Sequence, residues 1–517
     1  MPFVINFKGE IRLEKLAVIK LNSDNIKLQF VKLIKNKSFT VYDEVSVPVD
    51  LTKDFYGDYI IKPAIIKEIS STLLVFKKMM DAQEITDSLC FATNILADAK
   101  NNNGFIDQIE NVCGFKFKIV SPEEEGESIY TAIINTFNKP KGLVFNISNY
   151  HISFVHYNRR NIVENYVINT GYETLYSKYV EQQNLSGDEL FNAIYNELKP
   201  LFESKEFITN LAEEYEVVGV GSMFINLAKV AIKAKKYPID TIHNFNLNKT
   251  DFEKVFNAIK TQDISKSTKI KGVSLEDSKY LQVVLKVIDV FFSLSNKQEI
   301  SVSRTGFTEG VLFNYVLPLT MEKPISDTLG YSLSVINDYY NYNNLNILKV
   351  YDISMILFKQ LKVLHKLGRS YVKILRIASY LCNSGLKISV LNKEQSAFNI
   401  ILNSNLYGVT HSELVLAAFV ALLVDIDNFN LSDWVKYRDL ITEDDLKNVK
   451  KLSVILRIAQ SLDVTGFGNI EDINCDVLGD SVIMKTIVKD NADLEIKHAS
   501  LASSEFKKAF NKNLEIL

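Results

Sequence analysis

An apolar strand at residues 144–147 runs into a tight turn. The position of this turn suits a phosphate-binding loop. Such a loop needs glycines, so that backbone N–H groups can approach an anion, and an acidic residue that holds a metal ion. Here the turn contains Ser148, Asn149 and Tyr150, and Asn146 occupies the acidic position. These side chains favour a packed hairpin over the alternative interpretation, an active phosphate cradle.

A second turn, Gly219-Val220-Gly221-Ser222, lies between a predicted strand and a predicted helix and keeps half of a glycine-rich loop. Such a turn could bind an anion through the N-terminus of the helix. Two glycines at a strand-helix junction are more often a requirement of the turn itself, and we favour that interpretation. The six histidines are scattered without the spacing of a metal site, and the sequence predicts no bound metal.

Two α/β halves are predicted to position these turns. Apolar and polar residues alternate in short runs over residues 16–47 and again over 143–168, so each half opens with an antiparallel meander. Helical spacing follows in each half, including a helix at 123–137 whose first turn is acidic, as the helix dipole favours. The duplicated plan predicts a ligand cleft between the halves.

The chain changes character from Pro324 onwards. Five segments between residues 331 and 424 have helical period with no strand among them, which predicts a helical domain. The last part returns to mixed structure, with a helix at 452–462, a strand pair at 473–487, and then a final strand and helix.

The composition limits the classes of function. The chain has 517 residues, of which 47% are apolar and 23% charged, as is typical of a globular protein of several domains. Its net charge of −3 gives no general attraction to nucleic acid or to an acidic membrane surface, and its longest apolar run is too short to span a bilayer. Four widely spaced cysteines, without a C-x-x-C pair, are typical of a reducing cytoplasm.

Six short motifs occur in order along nearly the whole chain. They are Ala92-Thr93-Asn94 with Ala97-Asp98-Ala99-Lys100-Asn101, Ser121-Pro122-Glu123-Glu124-Glu125-Gly126, Tyr237-Pro238 with His243, Ser303-Arg304 with Glu309 and Gly310, Ile401-Leu402-Asn403-Ser404 with Gly408, and Arg457-Ile458-Ala459 with Leu462-Asp463. In this order they resemble the exopolyphosphatase and guanosine-pentaphosphate phosphatase (Ppx/GppA) family, which has the actin-like, ribonuclease-H-like fold of the sugar kinases.

The resemblance implies a fold class and a division of the chain. We expect α/β plus α structure, with two actin-like α/β domains at residues 1–138 and 139–322. A helical HD-like domain would occupy residues 323–448, and a small α/β domain residues 449–517. Members of this family commonly dimerise, so a homodimer is expected.

The sequence departs from the family where phosphate and metal would bind. All three phosphate loops are altered, Ala97 replaces an arginine, and Cys382-Asn383-Ser384-Gly385 replaces the H-D-I-G of related helical domains. The altered loops are Lys20-Leu21-Asn22-Ser23-Asp24-Asn25 for D-x-G-S-N-S, Asn146-Ile147-Ser148-Asn149-Tyr150-His151 for D-x-G-G-G-S, and Gly219-Val220-Gly221-Ser222-Met223 for G-x-G-G-T.

Lys20 and Asn146 stand at the positions of the two loop aspartates that would serve the metal ion in the family. Their presence should remove most divalent-metal affinity, because a charged lysine cannot coordinate a metal and an amide does so weakly. Asp24 adds a negative charge that would repel a phosphate. The Lys20 ammonium could replace the missing metal charge and pair with Glu125 or with a bound anion; the alternative is a solvated lysine.

Glu125 matches the water-activating glutamate of the family and is the candidate catalytic residue. The alternative, which we favour, is that Glu123, Glu124 and Glu125 only form an acidic helix N-terminus. The candidate ligand-binding residues, all in the three loops, are Lys20, Ser23, Asn146, Ser148, Gly219, Gly221 and Ser222.

Two classes of function remain open. The first is a catalytically degenerate family member that binds a phosphate-rich ligand or acts as a scaffold, and the second is an active exopolyphosphatase or guanosine-pentaphosphate phosphatase. The second would need Mg²⁺ held by another acidic residue, such as Asp24 or Asp98, so the altered loops favour the first. Polyphosphate and guanosine pentaphosphate are possible partners, whereas nucleic acid and membranes are not expected to be.

Overall fold

The computed structural model describes residues 15–34, 38–51, 60–93, 96, 99–261, 270–317, 325–340, 344–424 and 432–517. The chain divides into two compact units. Unit 1 comprises Met1–Lys235 with Ile242–Tyr331, and unit 2 comprises Lys236–Thr241 with Ser332–Leu517. The predicted boundary between residues 322 and 323 lies outside the described residues, and the division into four domains stays a prediction.

The first sheet of unit 1 has five strands in the order β3-β2-β1-β4-β5. Strands β1 to β3 form the predicted antiparallel meander, and β4 and β5 extend it in parallel. The strands are β1 (Lys15–Leu21), β2 (Asn25–Ile34), β3 (Ser38–Pro48), β4 (Ser88–Ala92) and β5 (Phe117–Ile119), and the helices are Pro63–Ala82, Asn102–Cys113 and Pro122–Thr136. Because β1 is central and buried along most of its length, a polar side chain near its end points into protein rather than solvent.

The second sheet of unit 1 has six strands in the order β10-β11-β9-β6-β7-β8 and repeats the plan of meander followed by parallel strands. Its strands are β6 (Lys141–Ile147), β7 (Ile152–Asn158), β8 (Asn161–Ile168), β9 (Glu216–Val220), β10 (Phe245–Asn248) and β11 (Glu299–Val302). The accompanying helices are Tyr172–Tyr176, the π-helical Ser177–Gln182, Gly187–Glu203, Glu206–Thr209, Ser222–Lys235, Lys249–Ile259, Leu275–Ser278, Leu281–Leu294 and Phe307–Val316.

Unit 2 is mainly helical, and the helix Thr328–Tyr340 runs across the division between the units. Its helices are Asn344–Gln360, Lys362–His365, Ser370–Leu381, the 3₁₀ turn Ser384–Lys387, Lys393–Asn403, His411–Leu422, Ser432–Val435 and Glu443–Ser461. None of the helices in the described part of the chain has both the length and the apolar character needed to cross a membrane.

A three-stranded sheet ends the chain, with β12 (Ile470–Val477), β13 (Ser481–Val488) and β14 (Asn513–Ile516). Two helices, Asp493–Ser500 and Ser503–Phe510, precede β14, so the predicted order of a final strand followed by a helix was wrong. The physical reason is that β14 pairs in parallel with β13, and a parallel pair needs a crossover connection, which the two helices provide.

The helix Pro122–Thr136 carries the acidic run, and its start is fixed by local contacts. Ser121 caps it, with the Ser121 side chain accepting from the Glu124 N–H at 3.2 Å and the Glu124 carboxylate accepting from the Ser121 N–H at 3.1 Å. Pro122 fits the first helical position, where no N–H is needed. Glu125 therefore lies in the first turn, on the side of the helix that faces protein, and is 5% exposed.

Candidate functional site

Lys20 and Glu125 form a salt bridge in the interior of unit 1. The Lys20 Nζ lies 2.8 Å from the Glu125 Oε1, and the side chains are only 15% and 7% exposed. Lys20 comes from the end of β1, and Glu125 from the first turn of Pro122–Thr136. The ammonium also lies 4.5 Å from the centre of the Phe307 ring, a cation–π contact. Of the two alternatives for Lys20, the structure shows the pairing with Glu125.

His151 approaches the same carboxylate from the other side. Its Nε2 lies 3.3 Å from the Glu125 Oε2, a close polar contact whose geometry is too poor for a good hydrogen bond. Burial of the carboxyl would raise its pKa, but the Lys20 ammonium and His151 outweigh this and hold the pKa of Glu125 well below its usual value. Glu125 is therefore a carboxylate already paired with a cation, and a carboxylate of low pKa is a weak general base.

The turn at residues 148–151 is closed by its own hydrogen bonds. The Ser148 Oγ accepts from the His151 N–H at 3.2 Å, and the Ser148 N–H donates to the His151 carbonyl oxygen at 2.9 Å. The Ser148 and Asn149 carbonyl oxygens accept from the N–H groups of Tyr172 and Glu173, at 3.1 and 3.0 Å. The turn thus directs carbonyl oxygens at the start of the helix Tyr172–Tyr176, which is the geometry of a packed hairpin.

Gly171 permits this close packing. A Cβ atom at Gly171 would lie 2.3 Å from the carbonyl carbon and oxygen of Asn149, so no larger residue fits without moving the turn. The glycine that the turn requires therefore lies 20 residues or more after it, in the segment that packs against it.

Asn149 connects several polar groups. Its Nδ2 donates to the Glu173 Oε2 at 2.9 Å, and its Oδ1 accepts from the Tyr172 hydroxyl at 2.9 Å. These bonds keep the turn tied to the helix that follows it. The Asn149 side chain also lies beside Asp24 in the loop of the first sheet and acts to lower the pKa of that carboxyl.

Negative charge accumulates around Asn149. Burial raises the pKa of Asp24 even though solvent reaches part of its side chain, and repulsion from Asp277 adds to that rise. Burial likewise raises the pKa of Glu173, with further repulsion from Asp24 and Asp50. This surrounding disfavours a phosphate ligand at the first and second loops.

The other predicted loop residues occupy structural positions. Asn146 is 5% exposed at the end of β6, and a Cβ at Gly221 would lie 3.0 Å from its Oδ1. Gly221 has a φ of 104°, which requires glycine, whereas a Cβ at Gly219 would lie 2.5 Å from the Phe224 ring. Ser222 begins the helix Ser222–Lys235.

Ser23 lies beside Asp24 in the first loop and is fully buried. Its hydroxyl has no hydrogen-bond partner among the described residues. Ala97 and Asp98, which the sequence analysis also singled out, lie outside the described residues.

Sequence reasoning missed His151 and Phe307 as parts of the site. His151 was interpreted as one of six scattered histidines, although it closes the same turn that Ser148 begins. Phe307 follows Gly306, whose N–H donates to the Glu309 carboxylate at 2.8 Å, so the motif that contains Glu309 also places this ring. Position within a motif was the signal that could have found both residues, since His151 ends an altered loop and Phe307 lies inside the motif of Ser303 and Glu309.

A second polar cluster, the amide network, lies in unit 2 and consists of Asn346, Asn383, Gln460 and Asp463. The Asn346 Nδ2 donates to the Asp463 Oδ2 at 2.7 Å, the Asn383 Nδ2 to the Asn346 Oδ1 at 3.2 Å, and the Gln460 Nε2 to the Asn383 Oδ1 at 3.0 Å. Within the described ranges of the chain, no group of three or more His, Cys, Asp and Glu side chains could hold a metal ion.

Two mixed sheets, each with a meander followed by parallel strands, are the architecture of an actin-like protein. The Ppx/GppA phosphatase family matches residues 31–318, more than half of the chain, and the protein belongs to that family. It is exopolyphosphatase-like in fold, and the larger segment of unit 2, Ser332–Leu517, follows the matched region.

Solved structures of the family share the fold. A Ppx/GppA family member from Aquifex aeolicus is 20% identical with a TM-score of 0.52, covering 59% of this chain and 98% of that one. An exopolyphosphatase from Cytophaga hutchinsonii is 17% identical with a TM-score of 0.53, over the same shares of the two chains.

A curated relative matches a shorter part of the chain. The bifunctional 3-dehydroquinate synthase/phosphatase of Fusobacterium nucleatum is 23% identical over 243 residues, which is 45% of this chain and 35% of that protein. The chain thus spans about a third of the length of the curated relative that it matches.

Proposed function

We propose that this protein is a catalytically degenerate member of the Ppx/GppA family, in which the former active-site cleft serves as a structural element of a binding or scaffold protein. The observation that carries the proposal is the salt bridge of 2.8 Å between Lys20 and Glu125. Glu125, the candidate catalytic base, is held by a cation of the protein itself.

Phosphoanhydride hydrolysis needs a base, a metal ion and donors around the phosphoryl oxygens. Glu125 has a lowered pKa and a bound ammonium, so it has little tendency to take a proton from water. Lys20 and Asn146 replace the carboxylates that would hold the metal. A buried lysine at that position also repels a divalent cation.

The contacts of the loops favour a structural role over phosphate binding. The turn at 148–151 directs two carbonyl oxygens at a helix, and Asp24 and Glu173 add negative charge beside it. The remaining glycine turn serves packing, because Gly219 contacts Phe224 and Gly221 contacts Asn146. A partner of this protein is therefore better sought among proteins than among polyphosphates.

The second candidate function is Mg²⁺-dependent hydrolysis of polyphosphate or guanosine pentaphosphate with Glu125 as base. The observation in its favour is that Glu125 is ionised and buried in the cleft, as a base would be before the reaction. In this case Lys20 would have to leave the carboxylate when substrate binds, and Asp24 or Asp98 would have to supply the metal site.

Phosphate release decides between the two functions. Purified protein is incubated with Mg²⁺ and either long-chain polyphosphate or guanosine pentaphosphate, beside Glu125→Gln. A matched control is Glu124→Gln, because Glu124 lies next in the chain but pairs with Lys118 at the surface. We expect no release from any of the three proteins. Release by the wild type and Glu124→Gln, but not by Glu125→Gln, would establish the second function.

Three further expectations accompany the proposal. The four cysteines are free and three of them are buried, which suits a reducing cytoplasm. Magnesium would be needed only if the second function holds. A homodimer follows from the resemblance to the family, and light scattering coupled to size-exclusion chromatography would measure it.

A further inference from the structure

We propose that side chains of the protein hold the cleft of unit 1 shut without a ligand. We call this set of contacts the latch and define it as Lys20, Asp24, Glu125, Asn149 and His151. The inference rests on the proposed function, since a cleft that turns over a substrate has to open and close.

The first crossing of the cleft is the salt bridge. Lys20 belongs to β1 in the first sheet, whereas the helix that carries Glu125 packs into the core of the second sheet. That core contains Ile129 and Ile133 of the helix together with Val144, Val155 and Val218 of the second sheet. The Nζ–Oε1 contact of 2.8 Å therefore joins the two halves, and His151 of the second half reaches the same carboxylate.

The second crossing is formed by the turn between β6 and β7. The Asn149 side chain lies beside Asp24, in the loop that follows β1, and acts to lower the pKa of that carboxyl. Tyr150, the next residue, packs against the hydrophobic core of the first sheet, which includes Leu21, Ile26 and Leu51. A side chain from the second half is thus packed against the core of the first half.

Aromatic contacts run beside the polar ones. Phe91 of β4 meets Phe307 edge to face with ring centres 5.4 Å apart, and Phe39 of β3 meets Phe313 at 5.0 Å. Both Phe307 and Phe313 lie on the helix Phe307–Val316. This helix also packs closely on the helix Pro122–Thr136, since a Cβ at Gly310 would lie 1.7 Å from the Ser128 carbonyl oxygen. These buried aromatic contacts therefore stabilise the same closed arrangement as the polar contacts of the latch.

A ligand closes a cleft only by binding the closed state more tightly than the open one. Here the closed state already contains the Lys20–Glu125 salt bridge, the packing of Tyr150 on the first core and the aromatic contacts, all of which an open cleft would lose. The charged pair is the most sensitive of these, because removal of Lys20 leaves Glu125 as a buried and unpaired carboxylate that water would relieve. Loss of that lysine is expected to open the cleft locally.

Hydrogen exchange followed by mass spectrometry tests the latch. The full chain is compared with Lys20→Met, Lys20→Arg and Lys27→Met. Lys27 lies opposite Lys20 on β2 and forms its own salt bridge with Glu44, but at the surface, which makes it a matched control. In Lys20→Met we expect exchange at residues 148–151 and in the first turn of Pro122–Thr136 to accelerate at least about tenfold. Lys20→Arg and Lys27→Met should resemble the wild type.

Unchanged exchange in a folded Lys20→Met would overturn the latch, as would equal acceleration in Lys27→Met. If Lys20→Met does not fold, Asn149→Ala carries the same test, because it breaks the second crossing and leaves the salt bridge in place. In that variant the loop at residues 22–25 should accelerate, and protection there equal to that of the wild type would overturn the proposal. Phosphate release by the wild type would contradict the proposed function, whereas the latch depends on exchange alone.

Discussion

The latch of unit 1 and the amide network of unit 2 are two polar clusters that differ in the charge of their members. In the latch an acid has been retained and a cation placed against it, as Lys20 pairs with Glu125. In the amide network most members are neutral, and Asn346, Asn383 and Gln460 donate and accept in a chain that ends on Asp463.

The two clusters should differ in how much stability the protein loses when one of their members is replaced. Burying two charges costs desolvation free energy, which the attraction between them offsets. When one partner is removed, the other charge stays buried without that compensation. A chain of amides has smaller penalties, and its two middle members, Asn346 and Asn383, each bond two neighbours. The latch should therefore be the more fragile cluster and the more dependent on pH.

Lys20→Met should produce the largest loss of stability. We expect the free energy of unfolding to fall by roughly 3–5 kcal/mol, because Glu125 would remain buried without its cation. Urea unfolding followed by far-UV circular dichroism measures it. Lys27→Met, which breaks the exposed pair with Glu44, should lower the free energy by less than about 1 kcal/mol. Equal losses in the two variants would mean that the latch is worth no more than a surface salt bridge.

Asn383→Ala should have the next largest effect. It removes the central amide of the network and leaves the Asn346 Oδ1 and the Gln460 Nε2 without their partner, a loss of about 1–3 kcal/mol. Trp434, the only tryptophan of the sequence, lies in unit 2, and its fluorescence reports the unfolding of that unit. Asn403→Ala is the control, since Asn403 bonds only the Asn399 carbonyl of its own helix and is exposed. A loss in Asn383→Ala no greater than in this control would show that the network adds nothing to stability.

The sequence predicts the strands of unit 1 well because they follow local rules. Alternation of apolar and polar residues marks both meanders, and the acidic first turn marks the start of the helix predicted at 123–137. The order of the last elements could not be predicted, because the parallel pairing of β14 with β13 is a contact between distant parts of the chain.

The site was predictable only in part, for a similar reason. The charge reversal at Lys20 limited its partners to Glu125 or an anion, and the motif alignment supplied both residues. Asn346 matches no motif and lies 117 residues from Asp463, so nothing in the sequence indicated the amide network. The contact of His151 with Glu125 depends on how a four-residue turn closes, which composition does not reveal.

The two clusters should also differ in how their contributions to the free energy of unfolding depend on pH. Glu125 has a folded pKa below its ordinary value of 4.5, so the stability that it contributes is present above that pH and is lost as the pH falls below it. The difference in unfolding free energy between the wild type and Glu125→Gln should therefore be largest near neutral pH. Below about pH 4.5 it should shrink by at most about 1.4 kcal/mol for each pH unit.

Asp24 and Glu173 act in the opposite direction in both proteins, because their raised pKa values favour folding as the pH falls, and they cancel in this difference. The loss caused by Asn383→Ala should stay nearly constant over the same range, since amide side chains do not titrate. Urea unfolding at several pH values measures both differences. If the Glu125→Gln difference is also independent of pH, the stability of the latch does not come from its charge.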